Sequence, residues 1–208
     1  MRKILLISLR TTFVTLLLTG LAYPLAMTGV ARALVPDASS GSLVRDETGK
    51  VVGSSLIGQR FQNPAYFQPR PSAAGTDGWD AMSSSGSNFG PTSAKLRDRV
   101  TAEVERLRKE NPDATGPIPV ELVTASGSGL DPDLSPNAAR FQVERVARAR
   151  KVSSERVLAI LSENVEGRDL MFLGEPRVNV LRLNMALDRR FGPPAPLPSS
   201  SSNPARQK

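Results

Sequence analysis

The stretch that most constrains this chain is TTFVTLLLTGLAYPLAMTGV, Thr11 to Val30, 20 consecutive residues without a charge. As an α-helix such a run covers about 30 Å, the thickness of a bilayer's hydrocarbon core. The pattern predicts a short segment over 1–10 and a transmembrane helix over 11–31. Pro24 would break a soluble helix, but membrane helices tolerate proline where neighbouring groups satisfy the freed carbonyl. Gly20 and Gly29 leave the backbone open to a second helix, so Gly20, Pro24 and Gly29 are candidate partner contacts within the membrane. A cleaved signal peptide is the competing reading, supported by the small-x-small pattern of Ala31-Arg32-Ala33. The apolar run is longer than a signal core of about 7–15 residues, which favours a retained anchor. Arg2, Lys3 and Arg10 precede the run and only Arg32 follows closely, so positive charge holds the N-terminus in the cytoplasm. The remainder is expected outside, as one extracytoplasmic domain over 32–191.

Two absences narrow the chemistry of that domain. The chain of 208 residues has no histidine and no cysteine. Ser-His and Cys-His catalysis, imidazole ligands, thiolate zinc sites and disulfides are all excluded. The net charge of +7 comes mainly from arginine, and four arginines fall at 140, 145, 148 and 150. Glu144 interrupts them and no aromatic follows, so the sequence reads as a solvated helix face and no nucleic-acid partner is expected.

Along the domain, GSLVRDETGKVVG (41–53) places two β-prone runs around turn residues Asp46 to Gly49, a hairpin pattern. Residues 54–93 are dense in Gly, Pro, Asn and Ser yet carry Phe61, Tyr66, Phe67, Trp79 and Phe89, which predicts an ordered loop pinned by rings. Tyr66, Phe67, Trp79, Asn88 and Phe89 are candidate partner contacts, with a satellite core as the alternative role for the rings. A helix capped by Thr92 or Ser93 runs to Glu110 with Leu96, Val100, Val104 and Leu107 on one stripe. IPVELVT (118–124) reads as a buried strand. Ser135 and Pro136 open a second helix bearing Ala139, Val143 and Val146 inward. Ser153 caps a third that closes near Gly167, with Val157, Ile160 and Leu161 inward, and a last helix follows from Val178 to about Arg190. The expectation is an α+β domain with few strands and about four helices. The tail GPPAPLPSSSSNPARQK (192–208) is low in complexity and expected to be disordered.

The loop Ser126-Gly127-Ser128-Gly129-Leu130-Asp131 sits where phosphate is often held. The lysine of a P-loop and the third glycine of a dinucleotide fingerprint are both missing, and Asp131-x-Asp133-x-Ser135 lacks the central glycine and closing glutamate of a calcium loop. Ser-Lys catalysis would need Lys95, Lys109 or Lys151 beside Ser126 or Ser128, and nothing in the spacing requires this. The loop reads as scaffold. Glycines at 127 and 129 permit unusual backbone, the serines bond nearby backbone, and Asp131 accepts N–H groups before the second helix.

The strings GSLVRD, SSLIGQRF, YFQPRPSA, GSNFGPTS, PVELVTASGSGLDPDLSPNAA, RVARAR and FLGEPRVNVLRLNMALD, in this order behind one span, resemble the C subunit of the Kdp potassium-transporting P-type ATPase. The resemblance runs from Leu5 to Arg190. It implies a non-catalytic accessory subunit of a bacterial inner-membrane complex, with one transmembrane helix and an external domain. Its implied partners are the P-type ATPase subunit and the channel-like potassium-binding subunit. ATP and potassium would be handled by those partners, and no cofactor, metal or catalytic residue is implied here. A catalytic-chaperone role raising ATP affinity has been proposed in the family. The glutamine linked to it is absent from VEGRD (165–169), so that residue-level role does not carry over. A membrane-anchored Ser-Lys peptidase and a binding module for a small ligand are the other classes the residues leave open.

Overall fold

The computed structural model describes residues 1–196; the remainder of the low-complexity tail lies outside the described residues. The chain divides into two compact units, Met1–Ser54 and a larger one from Ser55 onward.

In the first unit, helix α1 (Arg2–Leu34) spans 33 residues, and none of its most apolar stretch is buried. It is long and apolar enough to cross a membrane. The hydroxyls of Thr15 and Thr19 are satisfied within the helix: Thr15 Oγ1 donates to Thr11 O at 2.8 Å and Thr19 Oγ1 to Thr15 O at 2.7 Å. Such back-bonding leaves neither hydroxyl donor facing hydrocarbon. Leu18–Ala22 forms a π-turn just ahead of Pro24. Pro24 has no N–H for Gly20 O and its ring crowds that carbonyl, and the widened turn accommodates both without ending the helix.

The hairpin expected over 41–53 forms from β1 (Leu43–Arg45) and β2 (Val51–Ser54), antiparallel, with Leu43 opposite Ser54 and a bulge after Val44. Asp46 builds its turn. The carboxylate accepts from Thr48 Oγ1 at 2.6 Å and from the N–H groups of Thr48 and Lys50 at 2.9 and 3.0 Å. The Thr48 hydroxyl and these N–H donors hold the Asp46 pKa below the usual carboxylate value.

The second unit has the expected α+β composition. Its helices are α2 (Ala94–Glu110), α3 (Pro136–Phe141), α4 (Val143–Arg150), α5 (Ser154–Glu163) and α6 (Val180–Phe191). A three-stranded antiparallel sheet of order β3 (Asp133–Leu134), β5 (Arg177–Asn179), β4 (Val165–Glu166) accompanies them. One core gathers Phe67, Leu107, Leu122, Leu134, Val146, Val157, Leu161, Val178, Leu183 and Leu187. Ser135 caps α3 as expected, its Oγ accepting from Ala138 N at 3.2 Å.

Four elements differ from the sequence pattern. The third expected helix closes at Glu163 instead of near Gly167, because Val165–Glu166 pairs with β5 as β4. The strand expected over 118–124 is a single 3₁₀ turn, Val120–Leu122. Leu122 N donates to Pro119 O at 3.0 Å and Val123 N to Val120 O at 3.1 Å, so the segment satisfies its backbone locally and needs no partner strand. The second expected helix breaks at Gln142 into α3 and α4, giving five helices among the described residues of this unit where about four were expected. The last helix starts two residues later than expected because 177–179 pairs as β5, and Asn179 caps it by accepting from Arg182 N at 3.2 Å.

Candidate functional site

The small-residue loop at 125–131 is a junction of backbone. Leu130 O accepts from Gly58 N at 2.8 Å, and Ser128 O from Ser85 N at 2.9 Å and Ser84 Oγ at 3.0 Å. Gly129 adopts φ +67°, and a Cβ there would lie 2.3 Å from Ser85 O and 2.8 Å from Ala74 N. A Cβ on Gly58 would be pressed almost as close, 2.5 Å from Asp131 O. Only glycine fits at either point. Gly127 differs: its φ is not positive, and none of the described residues stands within 4 Å of where a Cβ would lie.

The serine hydroxyls serve the same junction. Ser126 Oγ and Ser128 Oγ lie 3.3 Å apart, and Ser128 Oγ accepts from Leu130 N at 3.1 Å. Asp131 Oδ1 accepts from Asp133 N at 3.1 Å, and its other oxygen meets Arg70 Nη1, also at 3.1 Å. Arg70 reaches on to Ala125 O at 3.5 Å, while its Nε has no partner among the described residues. Burial raises the pKa of neighbouring Asp133, opposed by the amide of Asn179. Glu121 closes the outgoing end, its carboxylate accepting from Ser135 N at 3.2 Å and from Ser135 Oγ. These groups fix a turn between two elements.

A second polar constellation, missed in the sequence, holds the segment Pro64–Gln68. Asn184 on α6 treats Phe67 as a strand would: Phe67 N donates to Asn184 Oδ1 at 2.8 Å and Asn184 Nδ2 donates to Phe67 O at 2.9 Å. Gln142, at the α3–α4 break, repeats the pattern on Gln68, with 2.8 Å to its N–H and 2.9 Å to its carbonyl. Arg145 donates to Pro64 O at 2.6 Å, Tyr66 O at 3.0 Å, Asn111 Oδ1 at 3.1 Å and Gln142 Oε1 at 2.7 Å. Burial draws its pKa down to about 10, which leaves it charged at neutral pH. Arg150 donates to Ala65 O at 2.8 Å and Asp188 Oδ1 at 2.7 Å, and its guanidinium lies 5.1 Å from the Tyr66 ring centroid.

The solvated arginine face expected on this helix is therefore incorrect for two of its members. Arg145 is 3% exposed, and so is the side chain of Arg150. Protein oxygens, not solvent, satisfy their donors. Gln142 and Arg145 sit three apart in the same register as Ala139 and Val146, and this spacing on the apolar face was the available signal.

The candidate partner rings separate by burial. Phe67 is 0% exposed in the core, so it is not a surface contact. Tyr66 is half-buried and donates its hydroxyl to Asp188 Oδ2 at 2.8 Å. Burial and this carboxylate push its pKa up to about 12. Trp79 (φ +66°) is half-buried and Asn88 (φ +50°) is exposed, both with left-handed backbone, and Trp79 N donates to Ser72 Oγ at 2.8 Å. Phe89 is exposed. On α1, Gly29 faces open space and Gly20 meets only Leu16 of its own helix.

An open cleft of about 470 Å³ lies beside Trp79, Arg70, Arg99 and Arg106. Arg106 is matched there by Glu103 and Glu110, both at 2.8 Å. Among the described residues no group of three or more His, Cys, Asp or Glu could hold a metal ion.

These features define a class: a small α+β domain tied together by buried amides and guanidinium groups, preceded in sequence by one helix of membrane-spanning length. The particular family follows from comparison with known proteins. Residues 5–189 match the family described as KdpC, K+-transporting ATPase, c chain. Proteins named potassium-transporting ATPase KdpC subunit are similar throughout: that of Myxococcus xanthus is 64% identical over 188 residues, covering 90% of this chain and 89% of the relative. That of Methylobacterium nodulans is 57% identical (85% and 92%), and that of Caulobacter vibrioides 56% identical (85% and 88%). The chain belongs to the KdpC family.

Proposed function

We propose that this protein is a non-catalytic subunit of a bacterial potassium-transporting ATPase complex, which it assembles and stabilises. The observation that carries this is the family match across α1 and the whole folded domain, residues 5–189. The structure supports a scaffolding role for the candidate loop, because Ser126, Ser128 and Asp131 are engaged in turns and in the Arg70 ion pair.

The chain spans the inner membrane once through α1. Arg2, Lys3 and Arg10 keep the N-terminus in the cytoplasm, and the domain lies outside. ATP and potassium are handled by the ATPase subunit and the channel-like subunit. Gly20, Pro24 and Gly29 give those partners a place to pack along α1. A nucleotide-chaperone role fits this topology poorly, since ATP is cytoplasmic.

Deletion from cells that express the complex tests the reading. The yield of the co-purified partner subunits should fall together with potassium-stimulated ATP hydrolysis, and full activity without the protein would overturn it. Calorimetry on the full chain in detergent should show no tight ATP binding; micromolar affinity would favour the chaperone role. Intact mass from membranes should include α1, and a chain starting near Leu34 would remove the anchor.

A further inference from the structure

Strands β4 and β5 are joined by a hairpin whose tip the core does not use. Leu170, Met171, Phe172 and Leu173 follow one another there and are 73%, 91%, 69% and 48% exposed. Turn tips ordinarily carry Gly, Asn, Asp or Ser, which suit both water and unusual backbone. Here Leu170 and Met171 adopt φ +51° and +70°, left-handed conformations that large side chains rarely take. Large apolar groups are thus presented to solvent at a conformational cost. Strain of this kind points to a function for the tip.

The tip is held rigidly. Asp169 and Leu173 exchange both backbone hydrogen bonds at 2.9 Å, closing the three-residue turn. The stem is braced by Arg168 with Glu175 at 2.8 Å and by Arg177 with Glu166 at 3.2 Å and Asp169 at 3.3 Å. These five charged residues, two cations against three anions, belong to the stem that carries the apolar tip. A loop that binds lipid through headgroup charge needs an excess of positive residues, and this stem has none. A rigid apolar knob on a stem of mutually paired charges has the anatomy of a protein–protein anchor. Little side-chain and backbone freedom is left to lose on docking.

We propose that the tip Leu170–Leu173 docks into an apolar socket on a partner subunit of the ATPase complex, with Phe172 and Met171 as its anchors. The proposal rests on the reading of the chain as a subunit, and it names the surface through which the folded domain is held. Neither the loop at 126–131 nor the rings at 66–89 is needed for it.

The test uses the full chain, tagged and co-expressed with the other subunits. Phe172→Asp and Met171→Asp change exposed side chains, so helix content and melting temperature should match the parent protein. Co-purified partner should fall about tenfold or more for each, as for an interface hot spot, while Phe172→Leu should retain most of it. A benzophenone amino acid at position 172 should crosslink to a partner polypeptide in membranes. Crosslinking to lipid alone would overturn the proposal in favour of a bilayer contact, as would undiminished partner yield from both aspartate variants. If the parent protein itself brings down no partner, the subunit reading fails first. That result is distinct from a failure of the tip.

Discussion

At Gly129 the backbone is left-handed and a Cβ would collide with Ser85 O, whereas two residues earlier Gly127 stands in open space. The sequence pattern treats the two alike, since small-residue loops advertise freedom without saying which residue uses it. Gly129→Ala should therefore cost about 2–4 kcal/mol, and Gly127→Ala less than about 0.5 kcal/mol. Thermal unfolding of the full chain in detergent distinguishes them, and equal losses would mean the loop is held differently. Tyr66 gives a second expectation. Its folded pKa, about 12, lies above the ordinary value of 10.0. A raised pKa means that the protonated hydroxyl stabilises the fold fully below pH 10. That contribution is lost as pH climbs toward 12. Tyr66→Phe should lower stability by about 1 kcal/mol near neutrality and flatten the decline between pH 10 and 12. An unchanged pH profile would show that burial and the Asp188 contact do not raise the Tyr66 pKa.

The helices were legible because their burial is periodic. The stripe of α2 and the inward faces of α3, α4 and α5 follow from apolar spacing alone. What periodicity hid was the polar work done on those faces. Gln142, Arg145 and Asn184 look like breaks in an apolar pattern, yet each is almost fully buried and bonded to the segment Pro64–Gln68. Their partners lie 74 to 117 residues away in sequence, beyond any local signal. The 3₁₀ turn at Val120–Leu122 was missed for a related reason. A short apolar run fits strand and turn equally until its hydrogen-bond partners are known. Asn184→Leu keeps the side chain close in size but orphans the N–H and carbonyl of Phe67. It should cost about 2–4 kcal/mol and open Tyr66 to Gln68 to amide exchange ahead of the rest of the domain. If those amides exchange no faster than before, the clamp is not what holds them.

For the whole molecule, the boundary between fold and tail lies past α6. Gly192 O accepts from Arg150 Nη1 at 3.0 Å and Ala195 O from Asn63 Nδ2 at 3.0 Å. Truncation after Pro196 should leave the melting temperature unchanged, whereas truncation after Phe191 removes two acceptors and should cost about 1 kcal/mol. Equal stability of the two truncations would show that those bonds are not kept in solution. The amide clamps also govern timing. A polypeptide emerges from its N-terminus, so Phe67 is delivered long before the asparagine that receives it, 117 residues later. Until α6 has appeared, the ring of Phe67 and the backbone around it have neither a complete core nor this hydrogen-bond partner. The domain therefore closes only once α6 has been synthesised, and contacts of such long range make closure slow. A ribosome stalled before residue 184 would hold a chain with its first half unlatched, a natural substrate for chaperones and proteases.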